Sequence, residues 1–91
     1  MTPRMVNALL DPILAMDDIG WDQIDVLNDL YNLYPQFLES YLLRSNGDNG
    51  KALIGYLVRY VDELRLSLRP DNIRIASLNR IILNLKGMVN F

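Results

Sequence analysis

The side chains in this sequence whose type and spacing could support chemistry are carboxylates. Asp17 and Asp18 are adjacent, and Asp22 and Asp25 stand three residues apart, which puts them on one face of a helix. A carboxylate pair can divide acid and base roles when burial or mutual repulsion drives the two proton affinities apart. The surrounding pattern offers no such environment. Asp22, Asp25, Asp29 and Asn32 form a polar stripe opposite Trp21, Ile24, Leu27, Tyr31 and Tyr34, which is the arrangement of a hydrated helix surface. The chain of 91 residues contains neither histidine nor cysteine. An imidazole base and a thiol nucleophile are therefore excluded, and the usual zinc, haem and iron–sulfur ligand sets are disfavoured. The sequence reads as non-enzymatic, with no catalytic residues, no cofactor and no metal.

Two loop motifs fail on spacing. Ser45-Asn46-Gly47-Asp48-Asn49-Gly50 has the composition of a calcium loop, but with Gly50 at the sixth position the first, third and twelfth places fall on Ser45, Gly47 and Tyr56, none a carboxylate. Gly47-Asp48-Asn49-Gly50-Lys51 precedes a helix without the Walker spacing. Leu85-Lys86-Gly87 resembles the tripeptide that follows the phosphorylated residue of histidine-phosphotransfer domains. Leu83 stands where that histidine would be, so the likeness stops at three residues and phosphotransfer is excluded.

Charge is partitioned along the chain. Residues 1–50 hold eight acids against Arg4 and Arg44, a net −6, whereas residues 51–91 hold seven bases against Asp62, Glu63 and Asp71, a net +4. Such asymmetry suits either complementary protein surfaces or a basic surface for a polyanion. For the polyanion, a helix-turn-helix arrangement around Arg69-Pro70-Asp71-Asn72 would offer Arg74, Asn79 and Arg80 to nucleic acid. The isoelectric point near 4.8, the acidic first half and the mostly apolar last helix weigh against that alternative. Membrane-surface binding fits less well, because Asp62 and Glu63 interrupt the basic face of the longest helix.

The elements that carry these charges are helical. Thr2-Pro3 and Asp11-Pro12 each join a capping residue to a proline, so short turns are expected over 3–10 and 12–16. The apolar period gives a helix from Trp21 to Tyr34, ended or bent by Pro35, and another from Gln36 to Arg44. After the loop at 45–50, the longest helix runs from Lys51 to about Leu68 and the last from Ile73 to Lys86, with Gly87 as its C-cap. Ile75, Leu78, Ile81, Ile82 and Leu85 form the main dry face of that last helix, widened by Ala76 and Leu83. The expected fold is all-α, a bundle of four to five helices in one domain over 1–91.

The hydrophobic fraction of 51% is high for a small domain without disulfides, and it points to a covering subunit, most simply in a homodimer. Leu66 is the sharpest local sign, since on a continued helix it points into the wet stripe between Arg59 and Asp62; a helix that frays there explains it equally well. The reading is a protein–protein interaction module, such as an adaptor, a chaperone-like binder or an inhibitor. Leu66 with Arg59, Arg65 and Arg69 would be its contact residues, and Asp22, Asp25 and Asp29 the complementary stripe within the fold or across a subunit boundary. The first residues lack the long apolar segment and cleavage site of a signal peptide, and a cytoplasmic location is expected.

Overall fold

Prolines and capping side chains decide where four of the five described α-helices begin, and a left-handed turn decides the other. In the computed structural model, which describes residues 1–89, the hydroxyl of Thr2 accepts the Met5 N–H at 3.2 Å, and Pro3 opens α1, Pro3–Leu10. The chain continues directly into a 3-10 turn, Asp11–Ala15, which Pro12 is preset to enter. Gln23 Oε1 accepts the Gly20 N–H at 2.9 Å at the start of α2, Trp21–Leu33. Tyr34 alone separates α2 from α3, Pro35–Leu43. This helix starts at the proline and not after it, because the first helical position needs no N–H donor.

Ser45, Asn46 and Gly47 all adopt left-handed backbone, with φ of 56°, 58° and 88°, and turn the chain into α4, Asp48–Arg65. That helix begins three residues before the expected Lys51, with Asp48 in its first turn, where the helix dipole favours a carboxylate. It also stops before the expected Leu68. The Leu66 N–H is shared between the Asp62 and Glu63 carbonyls, and both the N–H and the hydroxyl of Ser67 turn back to the Leu64 carbonyl, tightening and closing the end. Asp71 Oδ1 then accepts the Arg74 N–H at 3.1 Å and caps α5, Asn72–Val89. Gly87 is not a C-cap: α5 runs through it, and a side chain there would meet open space.

The described residues contain five α-helices and no strand, in a compact globule with a radius of gyration of 12.6 Å. The α5 helix packs against α2, α3 and α4, and α3 bridges α1 to the rest. The core runs from Val6 and Leu10 in α1 through Leu27, Leu38, Leu42, Leu53 and Leu57 to Leu78 and Leu85, and no polar residue is fully buried among the described residues. Two dry faces differ from the periodic reading. In α2 the buried residues are Ile24, Leu27 and Leu30, while Trp21 is exposed. Three-residue steps drift by about 60° each, so Leu30 lies on the opposite side of the helix from Trp21 and only one of them can face the core. In α5 the buried face is the expected Ile75, Leu78, Ile81, Ile82 and Leu85, but Ala76 and Leu83 are exposed and do not widen it. No described helix is long and apolar enough to cross a membrane.

Candidate interaction surfaces

The early end of α4 leaves the most exposed large apolar side chains among the described residues at the α4–α5 turn. Leu66 is 87% exposed, Leu68 fully so, and Ile73 73%. Arg65 and Arg69 stand between and beside these side chains, and Arg65 pairs with Asp62 at 3.7 Å, both solvated. An exposed pair of this kind contributes little to stability and leaves the guanidinium available. Arg65 also links the turn to a groove of about 410 Å³ between α4 and α5. Val58, Ile82 and Leu83 supply apolar walls there, and Asp62 and Lys86 contribute charge. Arg59 does not join this surface. It lies over the Tyr56 ring at 5.9 Å and faces Asp17 and Glu63, beside the 3-10 turn.

Asp22, Asp25 and Asp29 are exposed along the outside of α2. That helix packs on α3 and α5, and none of its three aspartates forms an ion pair among the described residues. The acidic stripe and the basic turn are therefore not matched to each other inside the chain. Asp29 borders an apolar hollow formed by Met1, Leu9, Leu33 and Tyr34.

One ion pair does join the two halves. Arg74 Nη1 lies 3.3 Å from Asp18 Oδ1 and donates to the Ile19 carbonyl at 3.1 Å. Its Nε is 3.5 Å from Asp71 Oδ2, close enough for attraction but not aligned for a hydrogen bond. The Tyr60 hydroxyl donates to the same Asp18 oxygen, and the guanidinium sits 6.0 Å from the Tyr60 ring centroid. Burial, and then the hydrogen bond to Asp18, push the Tyr60 phenol up from its ordinary value, with Arg74 opposing. This clasp holds the 16–20 connection against α4 and α5. Sequence reasoning missed it because Asp18 lies 42 residues from Tyr60 and 56 from Arg74, and they share no local pattern.

Arg74, Asn79 and Arg80 point to three different places. Arg74 serves the clasp, Asn79 lines the α4–α5 groove, and Arg80 lines a separate groove between α2 and α5. The last groove, about 560 Å³, is lined by Asn28, Tyr31, Asn32, Ser77, Arg80 and Asn84. It too was missed, although Asn28 with Asn32, and Ser77 with Arg80 and Asn84, are each readable as one helix face; only the fold shows that they confront one another.

No protein-family model, curated protein or solved structure matches the chain.

Proposed function

We propose that this protein is a non-enzymatic interaction module that docks on other protein surfaces through its α4–α5 turn and self-associates, most simply as a dimer. The observation that carries the reading is the exposure of Leu66 and Leu68 in the α4–α5 turn and of Ile73 in the first turn of α5, three large apolar side chains left in water. Covering one such side chain is worth about 1.5–3 kcal/mol, so the group could supply the centre of an interface. Arg65 and Arg69 around it suit a partner with carboxylates at its rim, since a guanidinium pairs a carboxylate in two parallel hydrogen bonds. An adaptor, a chaperone-like binder and an inhibitor would all use such a surface, and fold alone does not select among them. A cytoplasmic setting is consistent with a cysteine-free chain.

The test is mass in solution and capture by the intact chain, native against Leu66→Asp with Leu68→Asp. Both residues lie outside the core, so the variant keeps its helical circular dichroism. Native protein is expected above monomer mass at micromolar concentration and the variant at monomer mass. A monomeric native protein removes the dimer, and partners captured equally by both proteins remove the turn as the docking surface.

A further inference from the structure

We infer that the polar groove between α2 and α5 binds an extended peptide by its main chain, with Arg80 taking an acidic side chain of that peptide. Helices of a small bundle ordinarily meet along apolar seams, and this seam opens onto amides and hydroxyls. Among the described residues, Asn28, Asn32, Ser77 and Asn84 make no side-chain hydrogen bond to the protein, and Arg80 has no carboxylate partner. Asn28 and Asn84 also lie in helix interiors, where asparagine is a poor helix former, and no internal bond offsets that choice.

The chemistry selects the occupant. A carboxamide carries one carbonyl acceptor and an NH2 donor, the same complement as a peptide group, so asparagines can pair with a main chain whatever its side chains are. The spacing agrees. Asn28 and Asn32 are one helical turn apart, a rise of about 6 Å. An extended chain presents peptide groups to one side every second residue, about 6.6 Å apart. From Ser77 to Asn84 the rise is about 10 Å, room for roughly three extended residues. Arg80, between them on α5, is the groove's one charged residue, which assigns the acid to the middle of the peptide. The surface is distinct from the α4–α5 turn, and the inference stands or falls apart from that reading.

The experiment pans the intact chain against phage-displayed random peptides and remakes the enriched ones synthetically. Enriched peptides are expected to share an aspartate or glutamate and to shift backbone amide resonances along α2 and α5. Asn32→Ala and Asn84→Ala are each expected to weaken binding about tenfold, the loss of one well-made hydrogen bond. Arg80→Gln should erase the preference for the acid, and N-methylation of alternate peptide amides should abolish binding. The asparagine variants are expected to melt no lower than the native chain, because these side chains bond to no described residue. The inference is overturned if no acidic peptide is enriched, or if binding survives Asn32→Ala and Asn84→Ala. It is also overturned if the peptides are lost with Leu66→Asp alone, or if single-stranded oligonucleotides shift the groove resonances and peptides do not.

Discussion

Replacing Arg74 by methionine should destabilise the fold by about 2–3 kcal/mol while keeping the aliphatic bulk of the side chain. The largest part is the charged hydrogen bond to the Ile19 carbonyl, about 1.5–2 kcal/mol, because that carbonyl lies at a part-buried contact. The carboxylate contacts add less than their distances suggest. Asp18 is 74% exposed and Asp71 41%, so water and salt screen both pairs and together they contribute under about 1 kcal/mol. The guanidinium at the Tyr60 ring adds about 0.5 kcal/mol. In a domain of this size that total lowers the melting temperature by roughly 10–15 °C. Tyr60→Phe should cost about 1 kcal/mol, because the hydrogen bond it removes ends on the exposed Asp18. The double variant should cost less than the two losses added, because both side chains converge on one Asp18 oxygen. The assay is urea unfolding followed by circular dichroism, with Arg80→Met as the control, since Arg80 is exposed and makes no ion pair among the described residues. If Arg74→Met and Arg80→Met both lie within about 0.5 kcal/mol of the native chain, the clasp carries no stability and the reasoning fails.

Three further substitutions separate backbone and ionisation effects. Gly55 lies on the exposed face of α4 with nothing near a Cβ, so Gly55→Ala should stabilise by about 0.5–1 kcal/mol; Gly47, at φ 88°, should lose about 1–2 kcal/mol as alanine. In thermal melts, a lower midpoint for Gly55→Ala would contradict the first assignment and an unchanged or higher one for Gly47→Ala the second. Burial, then the hydrogen bond to Asp11 at 2.7 Å, then that residue's charge push the Tyr41 phenol well above its ordinary value, with Arg44 opposing. Its contribution is therefore complete below about pH 10, the unfolded value, and is lost as pH rises beyond it, because the unfolded chain releases the proton first. Urea unfolding between about pH 9 and pH 11 should show a shallower decline in Tyr41→Phe than in the native chain; an identical decline would exclude this linkage.

What was legible in the sequence is what local physics decides. The helices at 3–10, 21–33, 35–43, 48–65 and 72–89 follow from apolar period, proline placement and capping residues, and the expected bounds differ by a few residues where a cap or a closing turn intervenes. Leu66 stood out as misplaced on a continued helix, with a fraying end as the equal alternative; α4 ends at Arg65, as that alternative has it, and leaves the side chain exposed. Contacts set by the packing of distant segments were not legible. Nothing local in Asp18 announces Arg74, and nothing in Asn28 announces Asn84. The periodic reading of α2 took Trp21 into the core because three-residue steps look alike in sequence, whereas their angular drift decides which end of the stripe is buried.

The charge partition acquires a geometric consequence. Arg74 pairs with Asp18 across the two halves, while among the described residues Asp22, Asp25 and Asp29 on α2 and Arg69 in the α4–α5 turn make no ion pair. In a two-fold dimer a patch meets either its own copy or a second patch that meets it in return. Joining the turns to each other would cover Leu66, Leu68 and Ile73 but would bring Arg65 and Arg69 of one protomer against those of the other, setting like charges together at the rim of the apolar contact. Joining the turn of one protomer to α2 of its partner avoids that cost. It makes the contact twice and sets basic charge against acidic; Asp29, on α2, borders the apolar hollow of Met1, Leu9, Leu33 and Tyr34. Under the proposed self-association, charge thus favours the reciprocal arrangement over the turn-to-turn one, and it would give Asp22, Asp25, Asp29 and Arg69 the ion-pair partners they lack among the described residues.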